Sequence, residues 1–143
     1  MLGLAVFVGD ALERCLMQRA GDRATVLVVE DDADTRTVYS AGLGYDGYRV
    51  LTARCGIDGL RVARDEHPDV ILLDLSLADA DGWEVVRCLK ASTSTGDIPV
   101  LLVTGHSGVE QRARAEGCAG YLTKPLRLDT LREAVKSVLP SAS

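Results

Sequence analysis

Three blocks of four unbroken apolar side chains, each closed by a polar residue, constrain this chain more than any other feature. They are Val26–Val29 before Glu30-Asp31-Asp32, Val70–Leu73 before Asp74, and Val100–Val103 before Thr104-Gly105. A strand with one wet face alternates apolar and polar residues. An unbroken Val/Ile/Leu run instead fits a strand covered on both faces, as in a parallel sheet flanked by helices. Two weaker strand candidates, Tyr48–Ala53 and Gly120–Thr123, join these blocks. Helical spacing fills the stretches between. Helices are expected at Ala33–Leu43, from about Ile57 to Glu66 ahead of Pro68, at Trp83–Ala91, at Val109–Glu116 before Gly117, and at Leu128–Leu139. In the last of these, Leu128, Leu131, Val135, Val138 and Leu139 form an apolar stripe, with Asp129 near the N-terminus. Strand–helix alternation of this kind predicts an open, doubly wound α/β domain.

The 143 residues amount to one domain, and 47% hydrophobic with 26% charged residues can build a core and stay soluble. A net charge of −5 argues against a nucleic-acid partner, which would call for a basic face. No apolar run approaches the roughly 18–20 residues that span a bilayer. The opening MLGLAVFV has no positive flank and soon meets Asp10, unlike a signal peptide. Cys15, Cys55, Cys88 and Cys118 form no C-x-x-C pair and have no His at ligand spacing. They are expected as small buried apolar residues of a reducing, cytoplasmic compartment, with no membrane partner. Three segments are expected. A leader spans 1–23, in which Asp10-x-x-Glu13 resembles the start of a short amphipathic helix. The domain covers 24–140 and a tail covers 141–143, with Met17 an alternative start.

In a parallel α/β sheet, chemistry gathers at the carboxyl ends of the strands. Here those ends bring together Glu30, Asp31 and Asp74, the Thr104 hydroxyl, and Lys124 after the last strand. Carboxylates about 4 Å apart repel by roughly 4 kcal/mol per pair at an effective dielectric near 20. Such a group needs a cation, the lysine, or a proton. All-oxygen ligands suit Mg²⁺ better than a transition metal. Beside that ion Asp74 is a carboxylate nucleophile able to accept a phosphoryl group, with Thr104 and Lys124 placed for its oxygens.

The succession V-L-V-V-E-D-D, V-I-L-L-D-L-S-L-A-D-A-D-G, P-V-L-L-V-T-G and G-Y-L-T-K-P, from about Thr25 to Leu139, resembles the receiver domain of two-component response regulators. The resemblance implies a flavodoxin-like fold of five parallel strands in the order 2-1-3-4-5 with five helices. It makes Asp74 the phospho-acceptor. It also makes Glu30, Asp31, Asp74 and the backbone carbonyl of Ser76 the Mg²⁺ ligands, with Thr104 and Tyr121 as switch residues and Lys124 as the lysine beside the phosphoryl group. The implied phosphate donor is a sensor histidine kinase or a histidine phosphotransfer protein. The implied output is contact with a downstream protein, and a homodimer is compatible with it. The domain assists its own phosphoryl transfer and hydrolysis without being an enzyme in the usual sense.

Bland roles compete for several of these residues. Asp32 or Asp34 is expected only to cap the first helix, Trp83 to pack into the core, and His67 and His106 to lie on the surface. His106 stands two residues past Thr104, a position flanking the phosphorylation pocket in the resembled family. Two features depart from the family pattern. Leu77-Ala78 stands where a Met-Pro pair is usual, which frees the turn, although Asp81-Gly82 still offers an entry to the next helix. The step from Thr104 to Lys124 is short by about two residues, placing the deficit in the fourth helix or the loop before it. Alternative readings are a pseudo-receiver that binds without phosphorylation, a receiver belonging to a larger regulator or hybrid kinase, a metal-dependent enzyme using Glu30 with the Asp79-x-Asp81 pair, and a flavin carrier. The last is poorest, because no phosphate-binding loop follows the first strand.

Overall fold

The computed structural model describes residues 23–139. Five strands, β1 (Thr25–Val29), β2 (Arg49–Ala53), β3 (Val70–Asp74), β4 (Val100–Thr104) and β5 (Gly120–Thr123), form one parallel sheet in the order β2-β1-β3-β4-β5. Five helices connect and follow them: α1 (Ala33–Tyr45), α2 (Gly56–Glu66), α3 (Gly82–Ala91), α4 (Glu110–Ala115) and α5 (Leu128–Val138). The expected leader helix and Cys15 lie outside the described residues.

The three unbroken apolar blocks are the central strands, and every residue of β1, β3 and β4 is buried. Their side chains alternate between two cores. Leu27, Val29, Ile71, Leu73, Val100 and Leu102 pack with α2, α3 and α4 through Ala63, Trp83, Val86, Leu89 and Ala113. Val26, Val28, Val70, Leu72, Leu101 and Val103 pack with α1 and α5 through Tyr39, Leu43, Leu131 and Val135. Each such side chain taken fully from water contributes about 1.5–3 kcal/mol, so the six-residue rows on each side fix the register of the sheet. The edge strands β2 and β5 are only partly covered, which is why their sequences carry weaker apolar runs.

The helices start within a residue of their expected positions. Asp32 caps α1, its carboxylate accepting the Thr35 amide at 2.9 Å. Asp81 caps α3 through the Trp83 amide at 3.0 Å. Gly117, with φ +83°, follows α4 in the left-handed conformation that lets the Cys118 amide return to the Ala113 carbonyl at 2.9 Å. The cysteine expectation needs correction. Cys88 is exposed and Cys55 and Cys118 are only half-buried. On α3 the inward positions belong to Val85, Val86 and Leu89, leaving Cys88 on the outer face. Cys55 ends up at the start of α2, where its sulfur accepts the Asp58 amide.

Candidate functional site

Because β1, β3, β4 and β5 run parallel, their carboxyl ends open on one edge of the sheet. Glu30 follows β1, Asp74 closes β3, Thr104 closes β4 and Lys124 follows β5. The β3–β4 register sets Asp74 opposite Val103, and the Lys124 amide donates to the Thr104 carbonyl at 2.8 Å. Glu30 and Asp74 are each 3% exposed and Thr104 is fully buried, so three polar residues are held in a largely apolar setting. Such groups must find partners, and they do.

Both oxygens of Asp74 are engaged. Oδ2 accepts from Lys124 Nζ at 2.8 Å, and Oδ1 accepts from the Ser76 amide at 2.9 Å. Carboxylate oxygens of Glu30, Asp31 and Asp74 lie within 4.8 Å of one another. Burial first, then the hydrogen bond and charge of Asp74, pushes the Glu30 carboxyl up from 4.5 to about 8. Burial works the same way on Asp74, but hydrogen bonds from Glu30, Lys124 and the Ser76 amide outweigh it and hold that carboxyl below its usual range. Burial opposes the charge on Lys124, and the bond to Asp74 reverses this, keeping the ammonium above its usual value. The result is an Asp74–Lys124 ion pair beside a Glu30 whose carboxyl is harder to ionise than usual.

This donor set fits a hard divalent cation. It is all oxygen, and two of its three carboxylates are buried. A cation there would favour the ionised form of Glu30 over the protonated one. Thr104 Oγ1 accepts from the His106 amide at 3.0 Å, which leaves its own proton free to donate. A groove of about 390 Å³ lined by Asp34, Thr35, Val38, Tyr39, Lys124, Pro125 and Leu126 opens beside the lysine.

Glu30, Asp31, Asp74 and Lys124 thus come together as expected. Ser76 joins them through its backbone amide. Tyr121 does not: it is 37% exposed and lines a separate cavity with Glu110, Arg114 and Cys118. Asp79 and Asp81 are occupied elsewhere, on the amides of Gly56 and Ile57 and of Trp83, so the reading that made them a catalytic pair loses its residues. One contributor went unnoticed in the sequence. Arg36 Nη1 donates to the Glu30 carbonyl at 2.8 Å and steadies the turn that presents the acidic pair. Its only sequence signal is a basic residue one turn into the helix after Glu30-Asp31.

The profile of the response regulator receiver domain matches residues 26–136, nearly the whole described structure. The chain belongs to that family. The receiver is 35% identical over 120 residues to the polar-differentiation response regulator DivK of Brucella abortus, an alignment spanning 82% of this chain and 98% of that protein. Among solved structures it is similar to the chemotaxis response regulator CheY4 of Vibrio cholerae, with a TM-score of 0.77, 31% identity, and 82% and 99% of the two chains covered. It is also similar to the receiver domain of a sensor histidine kinase from Pseudomonas aeruginosa, with a TM-score of 0.75, 29% identity, and 83% and 99% covered. That structure has a magnesium ion coordinated in its active-site cleft. The receiver is therefore a two-component signal-transduction module with an acidic pocket compatible with Mg²⁺ and with phosphoryl acceptance by an aspartate. No helix among the described residues is long and apolar enough to cross a membrane.

Proposed function

We propose that this receiver, comprising residues 24–140, is a cytoplasmic switch operated by phosphorylation of Asp74. The donor is the phosphohistidine of a sensor histidine kinase or a histidine phosphotransfer protein. One oxygen of the Asp74 carboxylate forms a bond to phosphorus as the phosphorus–nitrogen bond to the donor imidazole breaks. The imidazole then takes up a proton from solvent. Mg²⁺, held by the Glu30, Asp31 and Asp74 carboxylates and the Ser76 carbonyl, supplies charge neutralisation for the phosphoryl oxygens when bound.

The observation that carries this reading is the 2.8 Å contact of Lys124 Nζ with Asp74 Oδ2 inside a three-carboxylate cluster. Lys124 orients one oxygen and the Ser76 amide the other, which leaves Asp74 preorganised for attack. Lys124 then follows the developing charge, and the Thr104 hydroxyl donates to a phosphoryl oxygen. Rotation of Thr104 toward that oxygen leaves space on the β4–β5 side into which Tyr121 turns, and this carries the signal to the surface used by a downstream protein. His106 stands where it tunes hydrolysis of the acyl phosphate. The groove beside Lys124, with Val38 exposed on its wall, supports the approach of a donor protein to this edge.

Incubation with a small-molecule phosphodonor and Mg²⁺ tests the assignment by intact mass. The wild-type chain is expected to gain one acid-stable, hydroxylamine-sensitive phosphoryl group. Asp74→Asn and EDTA are each expected to abolish it. An unmodified wild-type chain would overturn the reading in favour of a receiver that binds without phosphorylation.

A further inference from the structure

The loop between β3 and α3 begins one residue after the acceptor, and in this chain it lacks the proline that the family usually places at Ala78. A side-chain contact anchors it instead. Asp79 reaches across to the start of α2, where Oδ1 accepts the Gly56 amide at 2.8 Å and Oδ2 accepts the Ile57 amide at 3.2 Å. The first amides of a helix have no partner within it. The local cap of α2 is only the Cys55 sulfur, a weak acceptor, at 3.5 Å from the Asp58 amide. The two leading amides of α2 are thus served by a residue from the acceptor loop.

The contact is close as well as polar. A Cβ on Gly56 would lie 3.1 Å from the Ala80 Cβ and 3.5 Å from Asp79 Oδ1, so the loop rests directly on the helix start. The Asp79 carboxyl is held below its usual range, chiefly by the Gly56 amide. Three residues earlier in the same loop, the Ser76 amide holds Asp74 Oδ1. Leu77, between the two, is buried in the core beneath.

We infer that Asp79 is a positioning residue for the phosphorylation site, tethering the acceptor loop to α2 so that the Ser76 backbone stays in place against Asp74. The inference rests on the proposed function, in which Ser76 presents its amide to Asp74 and its carbonyl to Mg²⁺. It assigns Asp79 the stiffening that the absent proline would provide.

The test compares the full-length wild type with Asp79→Ala, Asp79→Asn and, as a control, Asp46→Ala. The control removes the carboxylate that receives Arg132 Nε at 2.8 Å, on the α1–α5 seam away from the acceptor loop. Mg²⁺ is titrated while the fluorescence of the single tryptophan, Trp83, is followed; its amide is capped from the same loop. The rate of adduct formation is measured at each Mg²⁺ concentration. Asp79→Ala is expected to raise the Mg²⁺ half-saturation about tenfold, the size of effect seen when a ligand loses its outer support. Its rate at saturating Mg²⁺ is expected to stay within about twofold of wild type, a split that a general loss of fold would not give. Asp79→Asn keeps one acceptor oxygen and is expected to fall between, and it carries the comparison alone if Asp79→Ala does not fold. Asp46→Ala is expected to lower stability and leave the half-saturation unchanged. A wild-type half-saturation in folded Asp79→Ala, or an equal shift in Asp46→Ala, overturns the inference. A wild type that binds Mg²⁺ without forming an adduct overturns the phosphorylation reading instead, and the fluorescence half-saturations still decide the role of Asp79.

Discussion

The segments that leave β3 and β4 are built to different standards, although both strands are fully buried. On the acceptor side, β1 and β3 are buried along their whole length, and the loop after Asp74 is tied down at Ser76, Leu77, Asp79 and Asp81. On the other side, the chain after Thr104 crosses an exposed loop into a helix of only six residues. That helix starts without a side-chain cap and buries only Ala113. The strand that follows, β5, is half-covered. Besides Ala113 in the core, α4 is held by surface contacts: Arg112 over the Trp83 ring at 4.5 Å, and Glu116 just past its end accepting from Arg87 at 3.2 Å. Contacts of that kind are worth about 1 kcal/mol or less each. The geometry for phosphoryl transfer is thus held rigidly, while the segment leading away from Thr104 is held by interactions that a modest change in free energy can rearrange.

The largest expected effect lies where the two halves meet. Lys124 belongs to the end of β5 but spends its charge on Asp74 of β3. Lys124→Ala removes the one cationic side chain hydrogen-bonded to the acceptor among the described residues and leaves the backbone pairing of β4 with β5 in place. Loss of a preorganised donor of this kind costs about 10²–10³ in rate. The phosphorylation rate with a small phosphodonor is expected to fall by that factor while far-ultraviolet circular dichroism stays unchanged. A loss of less than about tenfold would show that Lys124 positions Asp74 without following the transferred charge.

A pair of glycines measures the difference in rigidity directly. A Cβ on Gly82, at the end of the acceptor loop, would lie 2.7 Å from the Leu75 Cα, a backbone atom that cannot turn aside. One on Gly105, just past Thr104, meets nothing within 4 Å. Gly82→Ala is expected to destabilise the fold by about 1–3 kcal/mol through overpacking. Gly105→Ala is expected to be neutral or to stabilise by up to about 1 kcal/mol through the unfolded chain. Urea denaturation of the two variants checks this, and equal losses would erase the contrast.

The legibility of the sequence follows the same division. Buried parallel strands leave unbroken apolar blocks, so Glu30, Asp31, Asp74 and Thr104 stand out at their ends as candidate site residues, while Lys124 follows the weaker run of β5. Helix starts were legible where a carboxylate caps its own helix, as at Asp32 and Asp81. Asp79 was not, because its partners on α2 lie 23 positions earlier and only the folded chain brings them together. Cys88 misled because small apolar residues are usually buried, whereas a helix of period 3.6 residues has an outer face that must be filled by something. On the α4 side the helix formed within a residue of its expected bounds, but, short and mostly exposed, it left no apolar stripe to show what it packs against.

The smallest expected effect probes that weaker half. Arg112 lies over the Trp83 ring and also approaches Glu116 at 4.0 Å, so it links α4 to α3 from the solvent side. Truncation to Ala removes a cation–π contact worth about 0.5–1 kcal/mol at an exposed position. Amide exchange in residues 110–116 is therefore expected to quicken by about two- to fivefold in Arg112→Ala, following from that energy. Opening of the whole domain breaks the same contact, so exchange in β1 and β3 quickens by a similar factor, and the regions differ in absolute rate, with residues 110–116 expected to exchange faster. Equal protection of the two regions in the wild type would mean that α4 is locked into the same cooperative unit as the acceptor, and that the two halves of this receiver are not held to different standards after all.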